Sequence, residues 1–585
     1  MVNNNHFYLP FEKDGSFDYS SKSIDHLTEY EKYQLSFHPE RPKYLDYLEC
    51  FEHVEECLDR DEFGACMIPT HRAEFNGIKL MLIGQQSGPS SNYKKIREAM
   101  THPETLEKWN HGMPIPSSYA RAVEAIKLAD KEQRIVITFL DTPGADPTEA
   151  AEEGGIAWRI GNTIQSLTEA KRPTLSIIIN RGCSGGAIAL TGCDVVLALE
   201  NSTYLVISPE AASSILFHTR KEANRAAEAM WITSKEGFKV GIVDELIPET
   251  PGPAHKYPNE IKSEVKKALK KWLPELDQIP DNEVFTKRIN RWRKMGHWSE
   301  VTADEAKSIQ SVKTNIPNKP PGGFIKRHGN CTTMNGKRVY DPQNYSQLED
   351  NDFVCPTCLR HYTRLTAWDY IHYALDKDSF IEHNGTKRIG DKDILFFPDY
   401  EEKLKVTRLK TGLLSAMITG DGKIEGQPVV YVGTDFGFLG GSFCMSSAEK
   451  IWRAAEIAIN KHVPMVLQAC GGGARMHEGC SSMVGIPKAH VALTRVEREG
   501  LRVITLITDP TLGGVAIGYG SRGIRLFEEY AGHIGFSGKR VIEQYTGHKT
   551  SRDFQTTEWL KEHGHVEKTF KLKTLRKILA ELIDR

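Results

Sequence analysis

Glycines cluster at four places in the chain: Gly185-Gly186, Gly440-Gly441, Gly471-Gly472-Gly473 and Gly513-Gly514. Glycine lets a backbone approach a ligand closely and take angles closed to other residues. Where a strand runs through such a pair into an alanine-rich helix, the first turn offers free N–H groups and the positive end of the helix dipole. That combination suits an oxyanion, for example the enolate oxygen of a thioester. Tight helix–strand packing is the other use of any single pair; four clusters in one chain favour anion binding. The sequence has no G-x-x-x-x-G-K-[ST] loop and no nucleophile elbow with a Ser-His-Asp set. The chemistry indicated is stabilisation of negative charge by backbone dipoles, not attack by a side chain.

The elements that must position these glycines occur twice. Residues 118–145 read SYARAVEAIKLADKEQRIVITFLDTPGA, and residues 447–474 read SAEKIWRAAEIAINKHVPMVLQACGGGA. Each holds an Arg-Ala pair on an amphipathic helix, then a polar turn, an apolar strand and a glycine-containing loop. A second apolar strand follows in each copy, Leu175–Asn180 and Val503–Thr508, and runs into Gly185-Gly186 and Gly513-Gly514. Arg121 to Gly185 is 64 positions and Arg453 to Gly513 is 60. This order predicts two duplicated α/β domains.

A second chemistry-bearing cluster is His328-x2-Cys331-x23-Cys355-x2-Cys358. Three sulfurs and one imidazole at this spacing make a tetrahedral zinc site, with His361 a competing fourth ligand. With every position filled by protein, such a zinc is structural. A loop without metal is the alternative.

The bulk properties set the frame. At 585 residues the chain exceeds one core. Its 75 basic and 77 acidic residues leave a net charge of −2, which gives no electrostatic reason for nucleic acid or a membrane surface. The opening MVNNNHFYLPFEKDGS does not read as a signal peptide, and no apolar run approaches the roughly 20 residues of a membrane helix. Eleven cysteines, mostly scattered, fit a reducing cytoplasm.

With these motifs laid out, the chain resembles the carboxyltransferase of bacterial and plastid acetyl-CoA carboxylase. Residues ~37–300 resemble its alpha subunit, through HPERPKYLDYLECF, HGMPIPSSYARAVEAIKLA, ITFLDTPGADPTEAAEEGG, GCSGGAIAL, NSTYLVISPEAASSIL, VGIVDELIPE and RINRWRKMG. Residues ~326–585 resemble its beta subunit, through VCPTCLRHYTRLTAWDYI, FGFLGGSF, GGGARMHEG, ITDPTLGG, IGFSGKRVIEQ and FQTTEWLKEHG. The resemblance implies two crotonase-like α/β domains with a small zinc-binding module between them. The resulting division is an N-terminal extension (1–36), an alpha-like domain (37–300), a Pro/Asn/Gly-containing linker (301–325), the zinc module (326–362) and a beta-like domain (363–585).

The implied reaction moves a carboxyl group from carboxybiotin on a separate carrier protein to acetyl-CoA, giving malonyl-CoA. The resemblance assigns the backbone N–H groups of Gly472 and Gly473 to the enolate oxygen, and those of Gly185 and Gly186 to the biotin ureido oxygen. Gly440, Gly441, Gly513 and Gly514 would line the bound groups. A biotin carboxyl carrier protein and a biotin carboxylase are the implied partners, because the chain lacks both a Met-Lys-Met biotinylation motif and an ATP-grasp-sized region. The family pattern places the site between two protomers, hence at least a homodimer.

Departures from the family pattern are Glu153-Gly-Gly-Ile156, Leu512, the run Gly518–Gly523 and an insertion at 101–110. They leave open another acyl thioester, a decarboxylase, or a catalytically silent RNA- or protein-binding paralogue. Other candidate groups read as structural. Arg475 and Glu478 close a local ion pair, Asp141 and Glu152-Glu153 shape a loop near a helix start, and Cys183, Cys444, Cys470 and Cys480 are buried spectators.

Overall fold

Predominantly apolar runs such as IVITFLDT and MVLQACG are what strands covered on both faces require; both are buried along their whole length and form the centres of two sheets. The computed structural model describes residues 27–58, 67–89, 108–311, 325–326, 343–361 and 364–584.

The first sheet contains β1 (Glu52–Glu56), β2 (Thr70–Phe75), β3 (Ile78–Gly84), β4 (Ile135–Thr142), β5 (Thr174–Cys183), β6 (Val195–Leu199), β7 (Thr203–Leu205) and β8 (Glu245–Ile247). Their order is β1-β2-β3-β4-β5-β6-β8, with β7 attached to β5. The second sheet contains β9 (Ile381–Glu382), β10 (Met417–Ile424), β11 (Gln427–Thr434), β12 (Met465–Gly471), β13 (Val503–Leu512), β14 (Ile524–Glu528), β15 (Ile534–Gly535) and β16 (Lys568–Phe570). Its order is β9-β10-β11-β12-β13-β14-β16, with β15 attached to β13. The first three strands of each sheet pair antiparallel and the rest pair parallel. Even the irregularities match: register breaks between Leu140 and Thr142 on β4, and between Ala469 and Gly471 on β12.

The helices repeat as well. In the first half α1 (Pro116–Glu132) leads into β4, α2 (Glu149–Glu153) and α3 (Ile156–Glu169) follow it, and α4 (Ser184–Thr191) follows β5. In the second half α5 (Met445–Lys461) leads into β12, α6 (Cys480–Arg498) follows it, and α7 (Gly513–Ile517) follows β13. Helices α1 and α5 are both 17 residues long, and each stops at a left-handed residue, Gln133 (φ 55°) or His462 (φ 54°). Such a residue turns its N–H back onto a late carbonyl and ends the helix.

One large hydrophobic core runs from the first half into the second. A second core lies on the other face of the first sheet, where Tyr44, Phe51 and Phe139 meet Ile261 and Leu269 of the helix Pro258–Asp277. The two halves join mainly by α3 against α6 and α7. Trp158 of α3 meets Phe527 edge to face at 6.0 Å, with the Arg525 guanidinium 4.8 Å from its ring. The tail helix Asp281–Lys294 continues onto the second half, where Arg498 stacks over Phe285 at 3.6 Å and Lys488 Nζ donates to the Met295 carbonyl at 2.8 Å. The segment expected to be a linker starts with a helix, Ala303–Ser311. Thr302 and Glu305 cap it reciprocally, a Thr-x-x-Glu signal that the Pro- and Gly-rich stretch beyond it masks. Among the described residues no helix is long and apolar enough to cross a membrane.

Candidate active site

Both β5 and β13 end in a short turn that enters a helix without a capping side chain. Strand register places Ser184 where the second half has Gly513, and both carry left-handed angles (φ 55° and 47°). The N–H groups of Ser184, Gly185 and Gly186 precede the first intrahelical bond of α4, and those of Gly513 and Gly514 precede that of α7. Each turn lies against the loop that follows the preceding strand. A Cβ on Gly186 would stand 2.6 Å from the Ala145 nitrogen, and one on Gly514 would stand 2.9 Å from the Ala474 nitrogen. Glycine is therefore required at both positions by close backbone approach. Ala145 and Ala474 were not singled out from the sequence.

Within the triplet 471–473, Gly472 and Gly473 differ. The Gly472 N–H donates to the Gly440 carbonyl at 2.9 Å, so this conformation leaves it no hydrogen for an enolate oxygen. Gly440 and Gly441, at φ 69° and 62°, brace that loop, with Gly441 packed on the Cys470 carbonyl. Gly473, at φ 121°, has no acceptor for its N–H among the described residues and lies beside Gly513.

The two helix starts meet within a single chain. A Cβ on Gly185 would lie 2.4 Å from the Phe536 ring and 3.3 Å from Ile517 Cδ1, both in the second half. The Phe536 carbonyl in turn faces Gly513. A second copy is therefore not needed to bring an alpha-like turn against a beta-like one, because α3 and α4 already dock on α6 and α7.

Buried charge surrounds these loops. Arg475 is fully buried and pairs with Asp391, not with Glu478, while donating to the Tyr400 hydroxyl at 2.9 Å. Burial opposes ionisation of Asp391, but Arg475 outweighs it and holds that carboxyl below its usual range. Glu478 accepts from the Met445 N–H at 3.1 Å and from Tyr400 at 3.2 Å; burial and the nearby Asp391 push its carboxyl up. Donor atoms of Asp391, Cys444 and Glu478 lie within 4.8 Å of one another, a spacing a cation could use. The Arg475 guanidinium already supplies the positive charge there.

Burial pushes the thiols of Cys183, Cys444 and Cys480 up to about 12 and that of Cys470 higher still, so none is poised as a nucleophile. Asp141 does not pair with Glu152. It accepts from Ser87 and Asn180 and faces Arg181 at 3.4 Å. Glu152, also buried, reaches the second half, where it accepts from the N–H groups of Phe536 and Ser537. Burial pushes its carboxyl up to about 7.

Of the zinc candidates, His328 and Cys331 lie outside the described residues. Cys355 and Cys358 are both buried in a tight turn, in which the Leu359 N–H donates to the Cys355 carbonyl and the Cys355 N–H to that of Arg360. His361 bonds through Nε2 to the Glu529 carbonyl at 3.0 Å, leaving Nδ1 as its remaining ligand atom.

Comparison with known proteins matches the same two halves. Residues 14–296 match the family described as acetyl co-enzyme A carboxylase carboxyltransferase-like, and residues 360–566 match the carboxyl transferase domain. The alpha subunit of acetyl-coenzyme A carboxylase carboxyl transferase from Thermus thermophilus is 36% identical over 281 residues, 48% of this chain and 86% of that protein. The same subunit from Listeria monocytogenes serotype 4b is 36% identical over 278 residues, 47% of this chain and 84% of its own length. Among solved structures, transcarboxylase 12S aligns with 95% of this chain and 91% of its own, at 13% identity and a TM-score of 0.30, too loose a superposition to assign a fold. The chain belongs to the acetyl-coenzyme A carboxylase carboxyltransferase family, and it carries an alpha-subunit-like half and a carboxyl transferase domain in one polypeptide.

Proposed function

We propose that this enzyme moves a carboxyl group from carboxybiotin, presented on a separate carrier protein, to the α-carbon of acetyl-CoA, forming malonyl-CoA. The observation that carries this reading is the pair of uncapped helix starts, Ser184–Gly186 and Gly513–Gly514, brought against one another by the contact between the halves. Cleavage of the N1′–carboxyl bond releases CO2 and leaves negative charge on the ureido group. The ureido nitrogen then takes a proton from the acetyl methyl, and the resulting enolate carbon attacks CO2. Two oxygens carry negative charge along this path, and each needs fixed N–H donors in a place shielded from water.

We assign the ureido oxygen to the alpha-like turn at Gly185 and Gly186. The enolate oxygen goes to the beta-like turn, with Gly473, Gly513 and Gly514 as its donors in place of Gly472. The raised thiols beside the turns support proton transfer by the substrate itself. The shared sheet order supports a crotonase-like fold for both halves. The buried Cys355-x2-Cys358 turn supports a structural zinc with His328 and Cys331; when bound, it would tie that turn to the segment before it. Biotin carboxylase and the biotin carrier are the partners this chemistry needs. The resemblance also implies a homodimer, which the meeting of both turns within one chain does not itself require, and a reducing cytoplasm, supported by the seven buried thiols outside the Cys355-x2-Cys358 turn among the described residues.

The test is a forward assay with carboxybiotin-loaded carrier and a panel of acyl-CoA thioesters. Malonyl-CoA should form faster than any longer homologue. Preference for a different acyl group would replace the substrate, and no transfer to any thioester would reject the function.

A further inference from the structure

Glu152 belongs to α2 of the alpha-like half and is 3% exposed, yet its side-chain hydrogen-bond partners lie in the other half. Its Oε1 accepts from the Phe536 N–H at 2.9 Å and the Ser537 N–H at 2.7 Å, and its Oε2 faces the Phe536 N–H at 3.0 Å. It forms no ion pair with a Lys, Arg or His among the described residues; Gln555 and Asp146 also lie near it. Removing a carboxylate from water without a cation is costly, and charge-assisted bonds from backbone N–H groups are the compensation available here.

The loop it holds lies between the two helix starts. Strand β15 pairs with Thr511 and Leu512, the residues just before Gly513. Phe536 follows it, with its ring over Gly185 and its carbonyl facing Gly513. Gln555, which lies beside Glu152, donates through Nε2 to the Ser537 carbonyl at 2.6 Å, so two neighbouring side chains hold residues 536–537. A shift of this loop would move Phe536 relative to both turns at once.

We propose that Glu152 is a positioning residue: its carboxylate, held by the N–H groups of Phe536 and Ser537, fixes Phe536 between the alpha-like and beta-like glycine turns and so sets the spacing of the two oxygen-holding sites. The importance of that spacing rests on the carboxyl-transfer reading above; the clamp itself does not. Displacement of a catalytic constellation by about 1 Å typically costs on the order of 100-fold in rate.

The experiment uses full-length chain carrying Glu152→Ala, Glu152→Asp or Glu152→Gln, with hydrogen exchange read at the Phe536 and Ser537 amides beside steady-state kinetics. Glu152→Ala should speed exchange at those two amides and lower kcat on the order of 100-fold, with the KM for the acyl thioester nearly unchanged. Glu152→Gln keeps an acceptor oxygen and should restore both to within about 10-fold of the parent. Glu152→Asp, which shortens the reach but keeps the charge, should fall between them and stands in if the alanine variant does not fold. Unchanged exchange and unchanged kcat in a folded Ala or Asp variant would overturn the proposal. So would equal losses in KM and thermal stability that glutamine does not rescue. If the parent shows no carboxyl transfer, the function fails, and the exchange rates alone decide whether the clamp exists.

Discussion

The alpha-like and beta-like halves share a sheet order down to the register break, but they treat charge at the mouth of that sheet differently. In the first half Arg41 is fully buried, bonded to Asn180 at 2.8 Å and paired with Glu249 at 2.7 Å. In the second half the corresponding residue is Arg364, which begins the same Arg-x4-Asp-Tyr run (Arg41–Tyr47, Arg364–Tyr370) and is 41% exposed. It lies 3.8 Å from Asp509, itself 3.1 Å from a half-exposed His533. Backbone geometry has been kept through duplication because glycine turns and strand pairing tolerate little change. Charge has diverged because its cost depends on what covers it. The first half locks this arginine into an internal ion pair, whereas the second leaves its counterpart at the solvent edge.

Six substitutions sharpen or break this comparison. If both helix starts hold charge, Gly186→Val and Gly514→Val should each lower carboxyl transfer by at least about 100-fold. Valine keeps the N–H, but its Cβ would push the turn off the loop at Ala145 or Ala474 and misplace the donors; the loss of an oxyanion donor typically costs on the order of 3 kcal/mol. Loss in one half alone would show that the halves are not equivalent in chemistry. Next, Arg41→Ala should cost about 3–5 kcal/mol in urea unfolding because it strands Glu249 in the interior. Arg364→Ala should cost under about 1 kcal/mol, as exposed pairs do.

Glu152 gives a pH-dependent effect. Burial raises its carboxyl to about 7 in the folded chain. Its protonated form is thus favoured by folding, and that stability is present below the ordinary carboxylate range and lost as pH rises through about 7. Glu152→Gln should gain on the parent between pH 5 and pH 8 by up to about 3 kcal/mol, read as a growing difference in thermal midpoint. A constant difference would place the ionised carboxylate in a better solvated site than the structure gives it. The smallest effect is at a helix cap: Thr366 accepts from the Asp369 N–H at 3.2 Å, and Thr366→Ala should cost about 1 kcal/mol. Lys43, at the matching place in the first half, makes no such side-chain cap.

Much of this architecture could be read from residue order. Helix and strand periods lie within short windows, so the repeat around Arg121 and Arg453, and the Gly-Gly turns after the second strand of each copy, were visible directly. What could not be read depends on contacts distant in sequence. The Gly472 N–H meets the Gly440 carbonyl through the fold of two separate loops, and no motif marks a donor as already occupied. Glu152 finds its partners 384 and 385 residues away in the chain. From composition it looks like any carboxylate at a helix start. The meeting of both turns in one chain likewise depends on how α3 packs on α6, a property of two surfaces rather than of either sequence segment.

The central claim is best tested in reverse, with purified chain, malonyl-CoA and free biotin and no other protein. Biotin-dependent formation of acetyl-CoA, lost in both Gly186→Val and Gly514→Val, is the predicted result. Acetyl-CoA formed at the same rate without biotin, or none formed by a folded chain at saturating malonyl-CoA and biotin, would contradict it.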